Sequence, residues 1–181
     1  QMCIRDRILT VPLILEKIYK KMILPQLSKT TMKVALNIPL LDSRIYAQIR
    51  KKLVDAFGGR FREVIVGGAA MNEEVTNFLY KIKFPFTIGY GMTECGPLIS
   101  YDHNDEYVPG SCGQILKGIM KVRIDSEDPY NKVGEIQVSG ENVMKGYYKN
   151  EEATSKVFTE DGWLRTGDLG TIAVSYTHLR A

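Results

Sequence analysis

Cysteine is scarce in this chain, and so are histidine and tryptophan. The three cysteines, Cys3, Cys95 and Cys112, show no CxxC spacing and leave one over from any pairing. A disulfide framework is therefore not expected, and with only His103 and His178 to help, neither is a structural zinc site. No Ser/His or Cys/His arrangement for nucleophilic catalysis stands out. The longest largely apolar run, residues 8–15, is far short of the roughly 20 residues that span a bilayer. It follows Arg5 and Arg7 but meets Glu16, Lys17, Lys20 and Lys21 without a small-residue cleavage site, so it does not read as a signal peptide. Charge of one sign is also missing. The 24 basic and 21 acidic side chains leave +3, and no Lys/Arg block breaks the balance, which argues against a nucleic-acid partner. A reducing cytosol is the expected compartment, with peripheral membrane contact at most.

What remains is an ordinary globular composition, 44% hydrophobic and 25% charged over 181 residues. Thr10 is placed to cap a first helix with Pro12 in its first turn, and Leu15, Ile18, Tyr19 and Met22 recur at helical spacing until Pro25 should end it. Asp42 or Ser43 opens a second helix with Ile45, Ile49, Leu53 and Phe57 on one face, stopped by Gly58 and Gly59. Val64-Ile65-Val66 reads as a strand buried on both faces, the habit of parallel sheets. Asn72 caps a third helix carrying Val75, Phe78, Leu79 and Ile82, and the next strand covers residues 84–90. Strand, helix and strand with short links make a βαβ crossover. Beyond Pro97 the texture becomes β-rich. Met120, Val122 and Ile124 alternate, as do Ile136 and Val138; Asn150 caps a short helix, and Asp161-Gly162 marks a tight turn. The expected organisation is α/β over residues 8–108, with a boundary near Pro109-Gly110, and β-rich over 109–173.

Four segments carry candidate chemistry. Gly67-Gly68-Ala69-Ala70-Met71 lies between a strand and a helix, where small residues let the backbone approach a flat ligand. The plain alternative is a tight turn with no ligand, and the pattern is not GxGxxG. Gly89-Tyr90-Gly91-Met92-Thr93-Glu94 offers an aromatic face, a hydroxyl donor and a hard oxygen suited to magnesium, within one loop. Gly134-Glu135-Ile136-Gln137-Val138-Ser139-Gly140, continuing to Tyr147-Tyr148, alternates and is assigned mainly a structural strand. Trp163-Leu164-Arg165-Thr166-Gly167-Asp168 ends in an Asp whose two oxygens suit a ribose diol, or else a hairpin turn.

In this order the four segments resemble the adenylate-forming (AMP-binding) superfamily of acyl-CoA synthetases, adenylation domains and firefly luciferase. The likeness runs from Ile8 to Gly170. The Val11-Pro12 and Glu16-Lys17-Ile18-Tyr19 segment and the run from Phe61-Arg62 to Met71 are most similar to long-chain fatty-acid–CoA ligases. The resemblance implies a fragment of the large N-terminal domain of such an enzyme. It implies that Gly68, Ala69 and Ala70 line an adenine site bordering the acyl pocket, and that Tyr90 stacks on adenine. Thr93 would contact phosphate, Glu94 would hold Mg²⁺, and Asp168 would bind the ribose hydroxyls. Gly89 and Gly91 would let the acyl carboxylate reach the α-phosphate. The implied reaction joins a fatty acid to AMP using ATP, then to coenzyme A. An enzyme adenylating another carboxylate, and a noncatalytic nucleotide-binding scaffold, are the competing readings. Luciferase-like oxidation also stays open. The family's phosphate loop and C-terminal lysine domain have no counterpart in the sequence, so the segment alone is expected to be inactive. Residues 1–7 and 174–181 do not fit the family and are expected to be non-native ends.

Overall fold

A computed structural model describes residues 7–38, 41–173 and 179–180. Contacts divide the chain into two compact units, Gln1–Phe86 and Thr87–Ala181. Among the described residues no helix is long and apolar enough to cross a membrane. His178 and most of the two suspected end segments lie outside the described residues.

The first unit opens with strand β1, Arg7–Thr10, parallel to β2, Glu63–Val66, in the register Arg7 to Glu63 through Thr10 to Val66. The Arg7 Nε donates to the buried Glu63 Oε1 at 2.7 Å. Thr10 is therefore a strand residue, not a helix cap. The cap position of α1, Pro12–Ile18, is held by Val11, with Pro12 in the first turn as expected. Pro25 does not stop the helical run either. The chain winds through a π turn at Tyr19–Ile23 into α2, Leu24–Leu27, and Pro25 sits in the first turn of α2, where an N–H is not needed. Helix α3 covers Thr30–Ala35 and α4 covers Leu41–Ala56. Asp42 lies inside the first turn of α4, its Oδ1 accepting from Ser43 N at 2.6 Å. Leu53 is buried, and Gly58 and Gly59, with φ of 97° and 71°, end the run as expected.

Helix α5, Glu73–Lys81, follows β2 and is capped as its sequence predicts, Asn72 Oδ1 accepting from Val75 N at 3.2 Å. Two carboxylates tie α1 and the π turn after it to the start of α5. Glu16 Oε1 accepts from Asn72 N at 3.0 Å, and Tyr19 OH donates to Glu74 Oε1 at 2.9 Å. Burial, then Glu74, pushes the Tyr19 phenol up to about 12. The buried apolar set includes Leu15, Tyr19, Ile23, Leu53, Val64, Val66, Val75, Leu79, Ile82 and Phe84. Strand β3, Phe86–Ile88, completes a three-stranded sheet of order β1-β2-β3. The strand expected over 84–90 is thus shorter. Tyr90–Gly91 forms a separate strand, β4, that pairs antiparallel with β5, Leu98–Ser100.

The second unit is built on β6, Met120–Asp125, β7, Gly134–Gly140, and β8, Leu164–Ile172, with β9, Leu179–Arg180, at the edge; all neighbours are antiparallel. Ile124, Ile136, Val138, Leu164 and Leu179 pack with Cys95 and Ile99 into its core. Gln137 is buried where alternation would leave β7 polar and exposed. It accepts from Arg123 Nε at 2.7 Å and donates to Asp125 Oδ2 at 3.4 Å, so both ends of its amide are used. Helix α6, Glu151–Val157, has the expected Asn150 cap, with Oδ1 accepting from Ala153 N at 3.0 Å. Gly162 turns with φ of 83° after Asp161.

Candidate nucleotide-binding site

The site residues of the second unit lie on one short stretch and one strand irregularity. Strand β4 delivers Tyr90 and then turns through a single 3₁₀ turn, Thr93–Cys95, into β5. Met92 N closes this hairpin on Pro97 O at 2.8 Å. Gly91 is required by space. A Cβ there would overlap the Pro97 carbonyl oxygen and stand 3.0 Å from Leu98 Cα, both backbone atoms. Thr93 is exposed, and Glu94 is half-buried.

The irregularity is in β8. Gln137 faces Arg165 and Glu135 faces Leu169, so Thr166, Gly167 and Asp168 all stand opposite Ile136. Such a bulge bends a strand and re-aims its side chains. Gly167 takes the left-handed conformation it needs, with φ of 76°. Thr166 anchors the bulge: its hydroxyl donates to Ile136 O at 2.8 Å and accepts from Asp168 N at 3.1 Å. The exposed Asp168 carboxylate then meets β4, with Tyr90 OH donating to its Oδ2 at 2.9 Å. Burial drives the Tyr90 phenol well above its ordinary value, with the Thr166 hydroxyl opposing the rise and the Asp168 carboxylate adding to it, so it stays a donor.

A second contact holds the Thr93–Glu94 turn. Tyr147 OH donates to Glu94 Oε1 at 2.9 Å, and Met144 N donates to Glu94 O at 2.7 Å. The segment after β7, assigned mainly a structural role from its alternation, therefore reaches the candidate site. The roles of Thr166 and Tyr147 were missed; the Thr-Gly-Asp triplet and the Gly-Tyr-Tyr run were the only local traces of them. In the first unit, Gly68, Ala69 and Ala70 form an exposed turn between β2 and α5, Gly68 with φ of 85°. Gly89 links β3 to β4. Cys95 is fully buried, and burial followed by the charge of Glu94 pushes its thiol up to about 11, which argues against a thiolate nucleophile at neutral pH. Trp163 lies under the Arg123 guanidinium at 4.6 Å, a packing contact.

A groove of about 840 Å³ on the same unit is lined by Arg123, Asp125, Glu127, Gln137, Glu160 and Arg165 among others, and none of Tyr90, Thr93, Glu94 or Asp168 belongs to it. Its two arginines are already engaged by carboxylates outside the lining, Arg123 by both oxygens of Asp161 and Arg165 by Glu135, so the donor geometry around Tyr90 is the better guide to a ligand. Among the described residues no three His, Cys, Asp or Glu side chains gather as a metal cluster.

Residues 8–148 match the AMP-binding enzyme family. The chain belongs to that family. This AMP-binding chain is 31% identical over 159 residues to long-chain-fatty-acid–CoA ligase 1 of Saccharomyces cerevisiae, covering 81% of itself and 23% of the yeast protein. It is 35% identical over 147 residues to 4-coumarate-CoA ligase 1 of Narcissus pseudonarcissus, covering 74% and 27%. Its fold matches ATP-bound MatB from Rhodopseudomonas palustris with a TM-score of 0.67 at 26% identity, over 96% of this chain and 30% of that one. The AMP-binding chain thus spans about a quarter of the length of the curated relatives it matches. Fatty-acid and aromatic-acid ligases stand equally near, so the special likeness to long-chain ligases is not singled out by these relatives.

Proposed function

We propose that this chain is the nucleotide-binding segment of a longer, cytoplasmic acid–CoA ligase whose acid is a long-chain fatty acid. The observation that carries the reading is the Tyr90–Asp168 pair, a carboxylate aimed by a bulge at an aromatic residue of the Tyr-Gly-Met-Thr-Glu strand and turn. A carboxylate with two oxygens can accept both hydroxyls of a ribose, and the Tyr90 ring beside it offers a face for adenine. Gly68, Ala69 and Ala70, small residues on an exposed turn of the first unit, would let the backbone approach a flat base and border an acyl pocket. The Thr93 hydroxyl would donate to a phosphate oxygen, while Gly89 and Gly91 keep the strand slim where the acid must approach.

The carboxylate of the acid attacks the α-phosphorus of ATP and pyrophosphate leaves; the thiol of coenzyme A then displaces AMP from the acyl-adenylate. Two like charges about 4 Å apart repel by about 4 kcal/mol at an effective dielectric near 20, and a carboxylate meeting a triphosphate faces several such terms. Mg²⁺ supplies neutralisation of phosphate charge when bound. Glu94 fits it. Magnesium is commonly held by one or two carboxylates together with substrate phosphates, so no larger cluster is needed, and Tyr147 engages Oε1 while leaving Oε2 for a ligand.

Identity to two yeast long-chain ligases, 31% and 35%, supports the fatty-acid substrate. The 35% identity to a 4-coumarate ligase favours an aromatic acid as the second reading. Carboxylate-dependent ATP–pyrophosphate exchange by the full-length enzyme separates them. Palmitate and octanoate are expected to drive exchange, with acetate, benzoate, 4-coumarate and amino acids near background. Exchange with the aromatic acids alone would install the second reading, and none with any acid would remove the ligase reading for this panel.

A further inference from the structure

The segment that follows β7 does more than close the sheet. Asn142 Nδ2 donates to Cys95 O at 2.6 Å and to Leu98 O at 2.9 Å, spanning the Gly96-Pro97 corner from both sides. Both acceptors are carbonyls, so the amide nitrogen must face them, and the amide orientation is settled by chemistry. Its other end is sacrificed: Asn142 Oδ1 is buried with no partner among the described residues. An orphaned buried acceptor destabilises the fold, so the residue is held here for its donor and not for its shape. Two residues on, Met144 N donates to Glu94 O at 2.7 Å. Three further on, Tyr147 OH donates to Glu94 Oε1 at 2.9 Å, and Tyr147 is itself fixed by its N–H on Thr154 Oγ1 at 2.9 Å. The Thr93–Cys95 turn is thus gripped at the carbonyls of Glu94, Cys95 and Leu98 and at one carboxylate oxygen, all from residues 142–147.

We infer that Asn142 and Tyr147 are positioning residues, which hold Glu94 in one rotamer with Oε2 presented for a divalent cation bound with the nucleotide. The inference rests on the reading of Glu94 as the metal-holding carboxylate. Asn142 fixes the backbone from which Glu94 projects; Tyr147 fixes the side chain. A bare glutamate on a short turn would spread over several rotamers, and ordering it on binding would weaken affinity. Tyr147 is 38% exposed and its ring is not part of the core, so removing its hydroxyl should leave the fold intact.

The test uses the full-length enzyme and Mn²⁺ as probe, with its binding in the presence of a non-hydrolysable ATP analogue followed by electron paramagnetic resonance, so that turnover plays no part. Tyr147→Phe is expected to weaken Mn²⁺ binding by about three- to tenfold, the scale of one lost hydrogen bond to a charged group at a partly exposed position, with an unchanged unfolding midpoint. Asn142→Ala is expected to weaken it as well, with a lower midpoint. Glu94→Gln should abolish the site. If Glu94→Gln abolishes binding while Tyr147→Phe leaves it unchanged or tighter, the positioning role is refuted and the Glu94 reading survives. If Glu94→Gln leaves Mn²⁺ affinity unchanged, both fall together.

Discussion

Removing one hydroxyl, that of Thr166, should uncouple the β8 bulge from the sheet. Thr166→Val keeps the branched shape but loses the donor to Ile136 O at 2.8 Å and the acceptor for Asp168 N at 3.1 Å. The two losses are unequal. Ile136 is 0% exposed and stands opposite the bulge, so its carbonyl has no water to replace the hydroxyl. Leaving a buried acceptor unsatisfied costs about 1–3 kcal/mol. Asp168 is exposed, so water takes over its N–H at little cost. Greater burial of the valine methyl offsets a few tenths, because Thr166 is only partly buried. The expected loss is therefore about 1–2 kcal/mol, measured by urea unfolding of the chain followed by circular dichroism. Thr166→Ser keeps the hydroxyl and should lose less than the valine variant. A valine variant as stable as wild type, or a serine variant less stable than the valine one, would refute the claim that this hydroxyl anchors the bulge.

Gly91→Ala must push β4 from β5, because the new methyl meets the backbone of Pro97 and Leu98; a loss of about 1–3 kcal/mol is expected, and an unfolding midpoint unchanged from wild type would contradict it. Cys95, buried with its thiol raised to about 11, should resist iodoacetamide in the native chain at pH 8, while Cys112, which is only partly buried, reacts first; mass spectrometry of the alkylated peptides decides the order. Arg123 holds the Asp161 carboxyl at about 2, below its ordinary 3.8. A depressed carboxylate stabilises the fold above its ordinary value and loses that contribution as pH falls through the depressed one. Asp161→Asn should therefore flatten the pH dependence of the unfolding midpoint between about 4 and 2, and an unaltered acid limb would count against the pair.

What could be read from the sequence was what neighbouring residues decide among themselves. Asn72 and Asn150 cap their helices, Gly58 and Gly59 end α4, and Asp161-Gly162 turns the chain, because each acts within about four residues of its own position. The β6–β7 pair was legible from alternation alone. Strand β1 was not, because Arg7–Thr10 becomes a strand only through a partner 56 residues away, and Thr10 in isolation looks like a cap. Pro25 misled because a π turn resets the helix just before it. At the candidate site, residue types pointed to Tyr90, Glu94 and Asp168, but the contacts between them could not be foreseen. The Tyr90–Asp168 bond depends on a bulge register, and the Tyr147–Glu94 bond joins residues 53 apart. Gln137 shows the same limit in reverse: an alternating strand predicts it exposed, and only its bonds to Arg123 and Asp125 explain its burial.

The central claim is that Asp168, aimed by the bulge and held by Tyr90, recognises the ribose of an adenine nucleotide. Calorimetric titration of the full-length enzyme with AMP and with 2′,3′-dideoxy-AMP tests it most directly, on wild type and Asp168→Asn. The account predicts that wild type binds AMP at least about tenfold more tightly than the dideoxy analogue, roughly the worth of one or two hydrogen bonds to a charged group. It predicts that Asp168→Asn shrinks this preference several-fold. Equal affinity of wild type for both nucleotides, or a preference unchanged in the variant, would contradict it.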